Sequence, residues 1–431
     1  MERTLSSEIG AHQGGRVRLC GWLHHQRRLG QVSFLLVRDR AGIAQVVVTD
    51  EATRAEADRL VAETVVEVCG VVEASDQAPA GFEIHQPSVS VIAAPADTPP
   101  FELRRRKLPA QLPTLLDHAA VALRHPQRRA VAALAAASAH GFRASLDELG
   151  FTEVHTPKVV AAATEGGANV FPVDWFGRQA FLAQSPQFYK QTMVGVFERV
   201  YEVAPVFRAE PHNTARHLAQ YLSMDAEMGF IADHTEVMAV LDRVLAGMLS
   251  AIGERARPAL ELLELELPTV PERIPVVEFR HAQHLIEEAT GEPVVGEPDL
   301  SPAHERWLGD WARNHHGSDF VYVVGYPMAK RPFYTHPSPA DPAASNSFDL
   351  LFRGLELVTG GQRLHRYEDY LAALGGAELD PYRGYLEAFR YGMPPHGGFA
   401  IGLERWVARL TDAVNVREVA LFPRDMQRLV P

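Results

Sequence analysis

The sequence predicts an α+β protein: an antiparallel sheet flanked by helices, preceded by a small closed β-barrel. Three observations point there. Residues 1–98 hold five short alternating stretches, 16–23, 32–38, 43–49, 65–73 and 83–93, parted by turns, with one candidate helix at 53–62. Residues 197–230 alternate up to Phe207, pass through a polar loop and alternate again from Tyr221, which reads as a long-looped hairpin. The remaining helices and strands lack the regular βαβ rhythm of a parallel sheet.

At 431 residues and 46% hydrophobic, the chain is long enough for two or more domains. No run approaches 18 apolar residues and the N-terminus has no secretory pattern, so no membrane span and a cytoplasmic location are expected. Cys20 and Cys69 are too few for a disulfide framework and lie in alternating runs, where core thiols are expected. A net charge of −12 argues against nucleic-acid binding through overall charge, so any such binding must use local patches. Candidates are His24 to Arg28 with Arg38 and Arg40, and Arg104 to Lys107. Lysine occurs only at 107, 158, 190 and 330, against 38 arginines, which fits positions where a compact point charge is preferred to a planar fork and fits chance survival too.

In chain order, the five N-terminal strands with a helix suit the oligonucleotide-binding (OB) barrel. Asp39 to Gly42 makes a hairpin turn, and Phe34 and Gln45 sit on adjacent strands where an aromatic face and a polar edge could meet a base. A core phenylalanine and a surface glutamine would fit the same pattern. Residues 99–124, with Pro99, Pro100, Pro109 and Pro113, read as a hinge or linker between an N-terminal domain, 1–98, and a larger one, 125–431. An alanine-rich helix from 125 stops at Gly150, and a strand at 151–156 meets Pro157, which places its end at an edge or interface. Helices follow at 186–198, 234–253, 281–290, 302–315 and 403–410, and strands at 320–326, 347–359 and 398–402.

Chemistry-bearing residues cluster in four places. The hairpin loop carries Arg208, Glu210, His212, Asn213, Arg216 and His217, and its return strand puts Asp225 and Glu227 on one face by the period of two. A solvated hairpin tip accounts for this spacing equally well. Asp349, Glu356 and Thr359 offer oxygens of the kind magnesium takes alongside substrate phosphates. The glycines of 397–402 would let a flat ring lie on the backbone while Arg405 reaches a phosphate. Thr164 to Asn169 reads as a mobile lid, and Gln184 to Lys190 opens a helix with polar groups at its mouth. Neither glycine-rich nucleotide signature is present, so a nucleotide here would be held by arginines and carboxylates.

Together these residues resemble the class II aminoacyl-tRNA synthetases. Residues 150–160 are similar to the family's motif 1, Phe207-Arg208-Ala209-Glu210 to motif 2, and Gly402-Leu403-Glu404-Arg405 to motif 3. The blocks around 163–171, 184–191, 216–231 and 348–363, and the N-terminal 21–48, resemble the aspartyl branch in its compact archaeal-type form. The resemblance implies ATP and Mg²⁺ as cofactors, L-aspartate and tRNA(Asp) as substrates, and a homodimer across motif 1. It also implies roles. Arg208 binds the α-phosphate, Glu210 adenine or the tRNA end, and His217 and Arg405 the outer phosphates. Asp349 and Glu356 hold Mg²⁺, with Thr359 where the family carries a serine. Glu165 and Asp225 face the ammonium with Ser185 and Gln187 nearby, while Lys190 and Arg363 clamp the side-chain carboxylate. Phe34, Gln45 and Glu83 contact the anticodon. Strict members carry a tryptophan and a lysine at the places of His24 and Pro79, so the chain is expected to accept tRNA(Asn) too, with an amidotransferase acting on the product. The alternatives are a strict aspartyl enzyme, an asparaginyl enzyme, and a synthetase-like paralogue. Lys190 and Arg363 offer only donors, which argues against an amide.

Overall fold

The computed structural model describes residues 1–78, 81–161, 169–376 and 378–430. The chain forms two compact units, Met1–His125 and Pro126–Pro431. In the first, β1 (Arg16–Leu29), β2 (Val32–Arg38), β3 (Ile43–Val48), α1 (Glu51–Ala57), β4 (Val65–Ala74) and β5 (Phe82–Ala93) close a barrel in the order β1-β2-β3-β5-β4. Alternation drives it: Val17, Leu19, Leu35, Val37, Val46, Val48, Val66, Val68 and Ile84 point inward and are almost fully buried. The expected turn is made by Asp39, whose Oδ1 accepts from the Ala41 and Gly42 amides at 2.8 and 3.0 Å.

Several details depart from expectation. Strand β1 continues to Leu29, through a register shift between Leu23 and His25. The helix starts earlier than expected, because Asp50 caps it by accepting from the Thr53 amide at 2.8 Å, and ends at Ala57. Cys20 and Cys69 are partly exposed free thiols rather than core residues. Residues 99–124, expected as an open linker, carry α2 (Leu112–Asp117) and α3 (Ala119–Ala122), with Phe101, Leu103, Leu115 and Ala122 forming a small apolar cluster.

The second unit is built on an eight-stranded sheet. Its elements are α4 (Pro126–Glu148), β6 (Thr152–Glu153), β7 (Val159–Val160), β8 (Pro172–Trp175), β9 (Arg178–Leu182), α5 (Gln187–Phe197), β10 (Arg199–Phe207), β11 (Gln220–Gly229), α6 (His234–Arg255), α7 (Arg257–Leu263), β12 (Val276–Glu278), α8 (Phe279–Thr290), α9 (Pro302–His316), β13 (Phe320–Val324), β14 (Ser347–Phe352), β15 (Leu355–Arg363), α10 (Tyr367–Leu374), α11 (Arg383–Arg390), β16 (His396–Gly402) and α12 (Leu403–Leu410). The strand order is β12-β13-β14-β15-β16-β11-β10-β6, antiparallel from β13 to β10 and parallel at both edges. Strands β7, β9 and β8 make a separate small sheet. Leu134, Phe142, Leu241, Leu245 and Met248 from α4 and α6 share one apolar core with Phe399, Ile401 and Trp406.

The single strand expected at 347–359 is two strands, β14 and β15, joined by Arg353 and Gly354 at φ 48° and 70°. Two successive positive φ values are what a tight hairpin needs. The strand expected at 151–156 pairs only through Thr152 and Glu153, at the sheet edge before Pro157. Among the described residues no helix is long and apolar enough to cross a membrane.

Candidate active site

The hairpin register assembles the site. On β11, β16, β15 and β14, Asp225 faces Ala400, Ala400 faces Thr359 and Thr359 faces Asp349, so one transverse row carries two carboxylates and a hydroxyl. One turn of the pleat along β11 lies Glu227, opposite Gly398. A single cavity over these strands is lined by Ser185, Gln187, Lys190, Arg208, Glu210, His217, Asp225, Glu356, Thr359, Arg363 and Arg405. Nearly every described residue named from the sequence for ATP, amino acid or metal therefore lines one space, with Asp349 buried beside it. Glu165 lies outside the described residues.

One end of the cavity is basic. Arg208 leaves β10 with its amide bonded to the Ala219 carbonyl at 2.9 Å, and its guanidinium stands 5.8 Å from the Tyr221 ring centre. His217 Nδ1 lies 2.6 Å from Thr214 Oγ1, and burial keeps its pKa below the ordinary value, with Glu210 pulling the other way. Arg405, in the first turn of α12, donates to the Glu356 carbonyl at 3.0 Å.

The other end is a buried quartet. Lys190 Nζ, on α5, lies 3.1 Å from Asp225 Oδ1 and 3.3 Å from Glu227 Oε2. Arg363 Nε donates to Glu227 Oε1 and its NH2 to the Gly398 carbonyl, both at 3.0 Å. Burial alone would raise the Glu227 pKa, but Arg363 and Lys190 outweigh it and hold the carboxyl below its usual range. This corrects the expected clamp. Lys190 and Arg363 are not bare donors, because Asp225 and Glu227 of β11 stand against them, and one positive charge is left over only when Asp225 turns to an ammonium. Gly398 also has another task than seating a flat ring: a Cβ there would collide with the Glu227 carboxylate. Of residues 397–402, Ala400 and Gly402 face the cavity. Gln187 adds a donor, its buried Nε2 having no hydrogen-bond partner among the described residues.

Between the two ends stand the oxygens expected to hold a metal. Thr359 Oγ1 donates to Glu356 Oε1 at 3.1 Å. Burial, followed by the nearby Glu356 charge, pushes the Asp349 pKa up to about 6, against the opposing pull of Arg331. No group of three or more His, Cys, Asp or Glu side chains among the described residues could enclose a metal ion. Two carboxylates and a hydroxyl still fit magnesium, which usually takes one or two carboxylates and completes its shell with water and phosphate.

Four residues in or beside the cavity were given no role from the sequence: Glu227, Arg331, Glu404 and Tyr334, over whose ring Arg363 sits at 5.6 Å. Only Glu227 had a signal, its period-two partnership with Asp225.

On the barrel, Phe34 faces Arg27 across β1 and β2, with the guanidinium 4.8 Å over its ring. Gln45 Nε2 donates to Glu83 Oε1 at 2.5 Å, and Arg27 NH2 reaches Gln45 Oε1 at 3.4 Å. Phe34 is half-buried and outside the barrel core, whereas Gln45 is 3% exposed, which reverses the bland expectation for both. Two expectations are corrected. Arg38 is no surface charge: its fork grips Glu63 through two 2.9 Å bonds. His24, expected in the same basic patch, is a strand residue 7% exposed, 3.1 Å from Arg38, with its pKa lowered to about 4 by burial and then by Arg38. It presents little surface to a base. Pro79 lies outside the described residues.

Comparison with known proteins finds a match to two parts of the chain. Residues 17–92 match the OB-fold nucleic acid binding domain, and residues 111–426 match the family described as tRNA synthetases class II (D, K and N). The chain is 46% identical to the aspartate--tRNA(Asp/Asn) ligase of Thermus thermophilus over 100% of both chains, and 45% identical to that of Deinococcus radiodurans over 100% of this chain and 99% of the relative. Among solved structures, asparaginyl-tRNA synthetase from Pyrococcus horikoshii complexed with asparaginyl-adenylate superposes with a TM-score of 0.93 over 100% of both chains, at 31% identity. With both of its parts matched, and relatives aligned along its whole length, the chain belongs to the class II tRNA synthetases of the D, K and N group.

Proposed function

We propose that this chain uses ATP to activate L-aspartate as aspartyl-adenylate and attaches it to tRNA(Asp), and to tRNA(Asn) as well. The observation that carries this reading is the single cavity with arginines at one end and a buried Lys-Arg-Asp-Glu quartet at the other. It matches a molecule with phosphates on one side and a small zwitterion with a second carboxylate on the other. Names of the two bacterial relatives support both the amino acid and the pair of tRNAs.

The chemistry needs no protein nucleophile. The aspartate α-carboxylate attacks the α-phosphorus, forming a new P–O bond as the bond to the β-phosphate oxygen breaks and pyrophosphate leaves. A terminal ribose hydroxyl of tRNA then attacks the acyl carbon and AMP departs. Arg208 neutralises charge building on the α-phosphate, and His217 and Arg405 hold the leaving pyrophosphate. Glu210 orients adenine or the tRNA end. Asp225 takes the ammonium with Ser185 near it, and Gln187, Lys190 and Arg363 meet the side-chain carboxylate. Asp349, Glu356 and Thr359 hold Mg²⁺, which supplies further charge neutralisation when bound. Catalysis is then positioning and electrostatics. The reading carries a cytoplasmic location, and use of tRNA(Asn) requires an amidotransferase that converts the attached aspartate.

A second reading, an asparaginyl enzyme, is favoured by the likeness to the Pyrococcus horikoshii structure. One experiment separates them: aminoacylation of purified tRNA(Asp) and tRNA(Asn) with labelled aspartate and asparagine. Aspartate on both tRNAs with comparable kcat/KM is expected. A preference for tRNA(Asp) beyond about 10³-fold, or ~4 kcal/mol, removes the relaxed choice, and charging with asparagine alone removes the whole reading.

A further inference from the structure

Arg331 belongs to none of the roles above, yet it lines the same cavity with its side chain only 11% exposed. It lies in the loop between β13 and β14, just after a short 3₁₀ turn at Met328–Lys330. Its guanidinium carbon is 4.2 Å from the centre of the buried Tyr326 ring, and its NH2 is 3.1 Å from Asp349 Oδ1. That contact is close but poorly formed: Arg331 Nε and NH2 and Asp349 Oδ1 are all shut from solvent without a hydrogen bond of acceptable geometry.

The same molecule shows what a settled arginine looks like. Arg38 grips Glu63 with two 2.9 Å bonds, and Arg363 bonds both Glu227 and the Gly398 carbonyl at 3.0 Å. A fork that serves only to hold the fold is expected to engage in that bidentate way. Arg331 approaches its carboxylate at 3.1 Å without that two-bond grip, on a residue assigned above to the divalent cation. A guanidinium and a divalent cation cannot both neutralise that carboxylate without repelling each other.

We propose that Arg331 is a nucleotide-binding residue that also acts as a stand-in cation, neutralising Asp349 in the empty pocket and turning to the triphosphate once a divalent cation takes the carboxylate. This rests on the reading that the cavity takes ATP with such a cation. The three-carbon stem lets the guanidinium leave Asp349 while Tyr326 keeps contact with its face. Before the cation binds, Asp349 is thus not left uncompensated beside Glu356, and afterwards the phosphates gain a further positive group.

The test uses two titrations that should move in opposite directions. Mg²⁺ alone, titrated calorimetrically into Arg331→Ala without nucleotide, should bind about tenfold more tightly than to the unaltered protein, because no guanidinium competes for Asp349. A non-hydrolysable ATP analogue with saturating Mg²⁺ should bind about tenfold more weakly, because a phosphate partner is lost. Weakening of both, or a change in neither, overturns the proposal. Arg331→Lys keeps the charge, so Mg²⁺ affinity should stay within about threefold while the analogue still weakens. If Arg331→Ala does not fold, this variant decides, and unchanged analogue binding overturns the proposal. Should the unaltered protein bind no analogue and show no aspartate-dependent pyrophosphate exchange, the parent reading falls instead; the Mg²⁺ arm needs neither amino acid nor tRNA and separates the two failures.

Discussion

Glu404 sits beside the motif-3 arginine and has no ion pair among the described residues. Both its oxygens face the Leu222 amide, at 3.2 and 3.0 Å, which ties the first turn of α12 to β11. Burial pushes its pKa up to about 7 from an ordinary 4.5. The folded chain therefore holds this proton where the unfolded chain has released it, so stability falls as pH rises from about 4.5 to about 7 and levels off above. Glu404→Gln should flatten that segment of a Tm-against-pH curve, by up to about 3 kcal/mol at neutral pH; an unchanged slope would sink the assignment. At this scale the sequence was legible where periodicity spoke. Asp225 and Glu227 share a face because strands repeat every two residues. Arg331 was not legible, because a proline-flanked loop has no period and its partner Asp349 is brought near only by the sheet.

At the scale of elements, the barrel strands declared themselves because one face is buried and the other wet, which leaves clean alternation. The hairpin of β14 and β15 did not. All six residues of β14 are buried, so no alternation marks where it ends, and the turn uses Arg353-Gly354 in place of the Asn-Gly or Asp-Gly that signals a hairpin. Strands β6, β7 and β12 span two or three residues each and are too short to carry a pattern. The outer face of β1, β2, β3 and β5 groups Phe34, Arg27, Gln45 and Glu83 through their registers, a ring beside linked donors and acceptors. Stacking on such a ring is worth about 1–3 kcal/mol per base. Phe34→Ala should therefore raise KM for tRNA about 5- to 100-fold and leave aspartate-dependent ATP–pyrophosphate exchange unchanged. Damaged exchange would instead mean that Phe34 supports the fold.

For the whole molecule, sites spread from Ser185 to Arg405 converge on one cavity, which no local pattern could announce; the ordered family motifs did so. The same motifs imply a dimer, and the second unit offers a place for it. Strand β6 ends the large sheet with only two paired residues, leaving an edge of the kind that invites another chain. At the open end of the neighbouring β10–β11 hairpin, Phe197 is 45% and Phe230 69% exposed, with Val196 at 63%. Apolar side chains gathered beside a sheet edge are costly to leave wet and suit a two-fold, self-complementary contact. Sedimentation at micromolar concentration should give twice the chain mass. Phe197→Asp should shift that equilibrium toward monomer, since each subunit would place a charge in the contact and the two-fold repeats the damage. A monomeric unaltered protein, or a Phe197→Asp variant that dimerises as tightly, would remove this face from consideration.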